Sequence, residues 1–132
     1  MNHELLNSVR LGILVSQRSN GQPIGVPIWF DWNGETIQFF AGGDSKKVKR
    51  LEMNPDMSLL VTNNVGEPEG WIAFDGQARL CVGGGIELAE TLALRYWDMD
   101  KVENQTKLAA WKAFPDAFVR YEMKPEKIRQ GS

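Results

Sequence analysis

One cysteine and one histidine are all that 132 residues contain. A lone Cys81 cannot close an internal disulfide, which agrees with a reducing compartment. It sits in the apolar run Ala78–Val82, where a packed strand thiol is the expected role rather than a nucleophile. With His3 as the single histidine, a protein-built zinc site or a histidine-based catalytic triad is excluded as a design. No metal site is therefore expected. No apolar run is long enough to cross a bilayer, and the N-terminal residues lack a signal-peptide layout, so a cytoplasmic setting is expected. The formal net charge of −2 gives no general attraction to nucleic acid or to a membrane. Repeats, low-complexity tracts and linkers are also missing, so a single domain over 1–132 is expected.

What is present is apolar and aromatic. The chain is 42% hydrophobic with five tryptophans, enough for a sizeable core. The most informative stretch runs from Phe39 to Leu51: two aromatics closing a strand, a glycine pair, then a helix start at Asp44-Ser45. Asp44 or Ser45 can cap a helix that ends at Asn54-Pro55. Lys46 and Lys47 fall in its first turn, where the backbone dipole favours negative charge. A bound anion held by free N–H groups and both lysines would resolve that conflict, which makes a phosphate site. A solvated basic helix face is the plainer reading.

Around this stretch the pattern is strand-rich. A short helix is expected over 4–10 and a strand over 11–17. Asn20-Gly21 supplies a tight turn into a second strand, 23–32, which Pro23 and Pro27 mark as irregular. Asn33-Gly34 turns into strand 36–41. After the lysine helix come strand 57–62, the polar loop 63–70 and a long strand 71–82 with Gly76 suggesting a bulge or bend. Gly83-Gly84-Gly85 lacks the Lys-Ser or Lys-Thr that a phosphate loop needs and reads as a connector. Helices are expected over 86–98 and 104–114, then an alternating strand 117–123 and a short extension. Six strands with short hairpins point to a small closed or split barrel with helices outside, a mainly β, α+β chain. A Rossmann sheet is excluded by the missing alternation of strands and helices.

Four pieces resemble the pyridoxamine 5′-phosphate oxidase-like family, the FMN-binding split barrels. They are Asn20-Gly21 leading into Gly25–Trp32, Ile37–Ala41, Ser45–Leu51 with Asn54–Val61, and Phe74–Leu80. The resemblance covers about residues 5–82 and fits more loosely through 128. It implies a six-stranded split β-barrel that forms a homodimer, with FMN in two sites at the subunit interface. By position, Val26, Pro27, Ile28, Trp29 and Phe30 would run beside the isoalloxazine. Phe40 and Ala41 would lie along the ring and ribityl chain, and Ser45, Lys46 and Lys47 would hold the phosphate. Trp71 falls where the family often has a glutamine reaching the flavin from the partner subunit.

Departures from that pattern bear on function. The family commonly carries arginine then lysine where this chain has Lys46 then Lys47; a lysine is a mobile point charge rather than a fork. Gly25 and Phe30 are neutral where true pyridoxamine phosphate oxidases are basic, and their C-terminal substrate-binding segment has no counterpart. The resemblance therefore implies an FMN-dependent oxidoreductase acting on an unidentified small molecule, and not pyridoxine phosphate oxidation. The alternatives are a reductase using the deazaflavin F420, with Lys49 and Arg50 engaging its longer anionic tail, or a non-catalytic flavin-binding or stress protein. No side chain stands out as a catalytic acid or base. Trp97 and Trp111 either line a substrate cleft or pack on the barrel, and the sequence leaves that open.

Overall fold

The computed structural model describes residues 3–132, and the side chain of His3 lies outside the described part. In chain order the elements are α1 (His3–Asn7), β1 (Gly12–Gln17), β2 (Pro23–Ile28), β3 (Asp31–Trp32), β4 (Ile37–Gly42), α2 (Lys46–Met53), β5 (Asp56–Thr62) and β6 (Trp71–Cys81). They continue with α3 (Gly85–Tyr96), α4 (Val102–Ala113), a 3-10 turn (Pro115–Ala117), β7 (Phe118–Met123) and β8 (Lys127–Gly131). The strands form one curled antiparallel sheet in the order β2-β1-β5-β6-β7-β4-β3, with β8 added to β6. This is the split half-barrel with helices that the strand pattern implied, with eight strands where six were expected.

β6 makes the curl. Its residues 71–77 pair with β5 and residues 78–81 pair with β7, so one strand serves both halves. Of the bulge or bend expected at Gly76, the bulge is absent, because both ladders run without an extra residue, and the strand passes from one half of the sheet to the other just beyond it. The glycine serves close approach instead: a Cβ there would lie 2.8 Å from Met123 Sδ and 2.9 Å from the Lys124 carbonyl oxygen.

Two other strand expectations changed. The 23–32 strand breaks into β2 and β3, leaving Trp29 and Phe30 outside both ladders. β2 is a sheet edge, and Pro23 and Pro27 share a parity, so the missing N–H groups fall on the open side and the six-residue ladder with β1 survives. The short extension after Pro125 is a strand, β8, paired with residues 71–75. The turns are as expected, with Gly21 at φ 84° and Gly34 at φ 95° after Asn20 and Asn33.

The core fills the concave face. Leu14, Ile37, Phe39, Leu59, Val61, Ile72, Phe74 and Met123 are fully buried. Each such side chain contributes about 1.5–3 kcal/mol by leaving water. Val48 and Leu51 bring α2 onto this core, while Ala89, Leu92 and Ala93 bury the inner face of α3. Phe39 stacks on Tyr121 across β4 and β7, ring centroids 5.3 Å apart. Cys81 is buried at the end of β6, as a packed thiol should be. No helix among the described residues is long and apolar enough to cross a membrane.

The three-glycine connector is a steric necessity. Gly83 and Gly84 hold φ of 72° and 82°. A Cβ on Gly85 would fall 2.3 Å from the Phe118 carbonyl oxygen, inside backbone that cannot yield. Gly85→Ala is expected to destabilise the fold by on the order of 1–3 kcal/mol, as overpacking does. Gly43→Ala, whose Cβ would meet only ordinary contacts at 3.6 and 3.7 Å, should leave stability nearly unchanged. Urea midpoints of the two variants against the parent check this; equal midpoints for both would contradict it.

Candidate functional site: an aromatic cleft with a desolvated lysine

A cleft of about 490 Å³ opens where the β2–β3 break, the end of β4, the start of α2 and the α3–α4 pair meet. Its walls are Leu11, Pro27, Ile28, Trp29, Phe40, Ala41, Gly42, Lys47, Trp97, Trp111 and Phe118. The size suits a small-molecule site. Another surface cavity, of about 410 Å³ and lined in part by Asp56, Asp75 and Glu126, lacks its chemistry, since Asp75 is already held by Arg129 and Ser58.

Of the residues singled out from sequence, Pro27, Ile28, Trp29, Phe40, Ala41 and Lys47 come together in this cleft. Val26 packs against the core and Phe30 is buried within it. Ser45 caps α2, its Oγ accepting the Val48 N–H at 3.4 Å. Lys46 is exposed at the surface. Trp71 lies elsewhere, in a groove of about 520 Å³ with Val15, Leu60, Ala73 and Arg129.

Lys47 is the sole ionisable side chain in the lining. It is half-buried, and desolvation, with the nearby Arg50 charge second, pulls its pKa below the ordinary lysine value. Among the described residues it has no carboxylate partner. Arg50, one turn along the same helix, has a buried Nε with no hydrogen-bond partner. The Lys46 and Lys47 N–H groups have no intrahelical acceptor, because α2 begins there. A phosphate fits this arrangement: it would supply the counter-charge Lys47 lacks, meet the helix N-terminus and raise the lysine's pKa again.

The aromatic wall is held from behind. Trp29 stacks on Tyr96, 5.2 Å between centroids and 10° between planes. The Tyr96 hydroxyl donates to the Arg10 carbonyl at 2.7 Å and accepts the Phe30 N–H at 3.3 Å. It also lies 3.3 Å from the Phe30 carbonyl oxygen. Burial pushes its pKa up, which keeps the donating proton in place. Arg10 is tied in turn: its guanidinium spans both oxygens of Glu67 at 2.6 and 3.0 Å, and its Nε donates to Leu5 O at 3.0 Å. The helix expected over 86–98 contains Tyr96, but the sequence did not show this clamp, because no spacing links positions 10, 30 and 96. Sequence reasoning also missed Leu11 and Phe118; for Phe118 the alternation of β7, which turns Tyr121 and Met123 inward, was the available signal.

Among the described residues no cluster of His, Cys, Asp or Glu is placed to hold a metal ion. No acid or base other than Lys47 faces the cleft, so the arrangement can bind and orient a ring with an anionic tail but offers no side-chain acid–base pair.

The arginine clamp has a pH signature. The Arg10 hydrogen bonds hold the Glu67 carboxyl down at about 2, against an ordinary 4.5. A carboxyl depressed on folding stabilises the folded state above its unfolded value and loses that contribution as pH falls through its folded one. The melting-temperature gap between the parent and Glu67→Gln is therefore expected to be full at pH 7 and to close between about pH 4.5 and 2. A gap independent of pH would contradict the clamp.

Comparison with known proteins follows the geometry. The family model described as pyridoxamine 5′-phosphate oxidase matches residues 2–130. Among solved structures, an F420 reductase superposes with a TM-score of 0.75 at 18% identity, over 96% of this chain and 94% of that one. An FAD-binding protein from Mesorhizobium loti gives 0.61 at 18% identity, over 96% and 87%. The haem storage protein HutZ from Vibrio cholerae gives 0.64 at 16% identity, over 96% and 89%. These likenesses are of fold. None of the curated proteins matches the chain in sequence. With the split half-barrel and a family match over nearly its whole length, the chain belongs to the pyridoxamine 5′-phosphate oxidase-like family.

Proposed function

We propose that this chain is a flavin-binding oxidoreductase that holds FMN in the aromatic cleft and acts on a small molecule. The observation that carries the reading is Lys47: desolvated, without a carboxylate partner, and set beside a helix N-terminus at the end of an aromatic cleft. In this reading Lys47 and the first N–H groups of α2 take the phosphate. Ser45 keeps those N–H groups in place by capping the helix. Pro27, Ile28, Trp29, Phe40 and Ala41 line the ring and its chain and keep water away. Lys46, exposed, adds long-range attraction more than contact. A flavin, when bound, supplies the electron-transfer chemistry, and the protein supplies position and polarity.

One observation favours a second reading, the deazaflavin F420. The partnerless Arg50 Nε beside Lys47 is an additional cation for a longer anionic tail. The similarity to an F420 reductase supports it at the level of fold.

A homodimer belongs to the same proposal. The outer sheet face carries Val15, Leu60, Trp71 and Ala73 around an apolar groove. Trp71 does not line the cleft of its own chain. It would reach a cleft only in a second copy, whose outer face would cover the groove.

Three outcomes are expected. The purified protein, or the protein titrated with FMN, shows flavin absorbance; a protein that ignores FMN yet binds F420 selects the second reading, and one that binds neither overturns both. Lys47→Ala lowers affinity for the phosphorylated cofactor at least tenfold, or about 1.4 kcal/mol, and Lys46→Ala much less. Equal losses by calorimetry would contradict the assignment of Lys47. Trp71→Glu shifts the protein to monomers in sedimentation; an unchanged dimer would remove this face from the interface.

A further inference from the structure

We infer that Trp97 and Trp111, set against the cofactor-lining Trp29, form a second subsite in the cleft, one that takes a planar aromatic acid as the partner of the bound cofactor. The inference rests on the reading of the cleft above and names its substrate class.

Burial separates these rings from the core. The fully buried aromatics of the chain are Phe39 and Phe74. Trp29, Trp97 and Trp111 are each only half-buried and lie outside the core cluster. They come from three separate places: the β2–β3 break, the residue after α3, and α4. The three rings touch one another, and each also presents surface to the open cleft.

Ring geometry points to the ligand. Trp29 and Trp97 meet at 89° with centroids 5.1 Å apart, Trp97 and Trp111 at 40° and 4.8 Å, Trp29 and Trp111 at 51° and 6.1 Å. The three form a corner in which no two are stacked. The stacked partner of Trp29 is Tyr96, which lies outside the cleft lining. Offset stacking, a favoured aromatic arrangement, is thus unused within the cleft, and a flat ring would supply it. A saturated ring of the same size would not.

Charge selects the ring's substituent. No carboxylate lines the cleft. The Lys107 ammonium stands 5.7 Å from the Trp97 ring centroid and has no ion pair among the described residues. A cation at that rim attracts an acidic substituent and repels an ammonium. Lys47 lies in the same lining and is assigned to the cofactor phosphate.

The test uses the full chain saturated with FMN and, in parallel, the chain as purified, with 2-naphthoate as the probe. Cyclohexanecarboxylate and 2-naphthylmethylammonium are the controls. Three of the five tryptophans face the cleft, so quenching of intrinsic emission reports occupancy. Expected are saturable quenching by 2-naphthoate in the FMN-loaded protein and binding at least tenfold weaker for both controls. Trp97→Leu and Trp111→Leu should each weaken the probe at least tenfold while FMN affinity changes less than threefold. If either fails to fold, Lys107→Ala, an exposed change, should still narrow the preference for 2-naphthoate over the ammonium probe. Displacement of 2-naphthoate by FMN, or parallel loss of FMN affinity in the tryptophan variants, overturns the inference by assigning the corner to the cofactor. Equal binding of naphthoate and the saturated acid overturns it as well. Failure of FMN and F420 to bind would defeat the proposed function alone, since the cofactor-free titration reads the subsite independently.

Discussion

The Phe30 backbone needs a hydrogen-bond partner that the sheet does not supply. β2 ends at Ile28 and β3 begins at Asp31, so the chain between them leaves the ladders. An unmet N–H near the core would cost on the order of 1–3 kcal/mol. The Tyr96 hydroxyl meets it and at the same time donates to Arg10. One phenol therefore joins α3, the start of β1 and the break in the barrel edge. The cleft depends on that junction, because Trp29, which stacks on the same phenol, is its aromatic wall.

The opposite end of the cleft is governed by charge rather than shape. α2 is short, and its two core contacts, Val48 and Leu51, set which side faces in. That rotation exposes Lys46 and turns Lys47 into partial burial. Neighbouring lysines thereby acquire different chemistry. One remains an ordinary solvated ammonium. The other pays desolvation, feels Arg50 and has no carboxylate partner among the described residues, which is why the proposed phosphate site is placed there.

The segment from Gly85 to Ala113 is what individualises the barrel. Gly85 lets α3 sit directly on the β7 backbone, closer than any side chain would permit. α3 delivers Tyr96, and the residues after it deliver Trp97 and Trp111 to the rim. The Lys112–Glu90 pair at 2.7 Å links α4 back to α3; both side chains are substantially exposed, so its contribution is small. The rings and packing, more than surface charge, hold this region.

Local signals were sufficient for most of the fold. Glycine turns after asparagine, proline stops and the two-residue alternation of β7 act over a few residues, so strand order and helix positions were readable from the chain alone. The cap at Ser45 and the lysines behind it were readable for the same reason. Rules that act over distance were not. The break at Trp29–Phe30 depends on a hydroxyl 66 residues away, and β8 becomes a strand because β6 offers an unpaired edge. Gly76 needed its neighbours to explain it, since Met123 and Lys124 approach from another strand. The choice between Lys46 and Lys47 required the rotation of α2 on the core. That Trp97 and Trp111 line a cleft required the packing of α3 and α4 against the β2–β3 break and β4. Sequence by itself determined which rings and cations this protein has; tertiary packing decided which of them line one cleft.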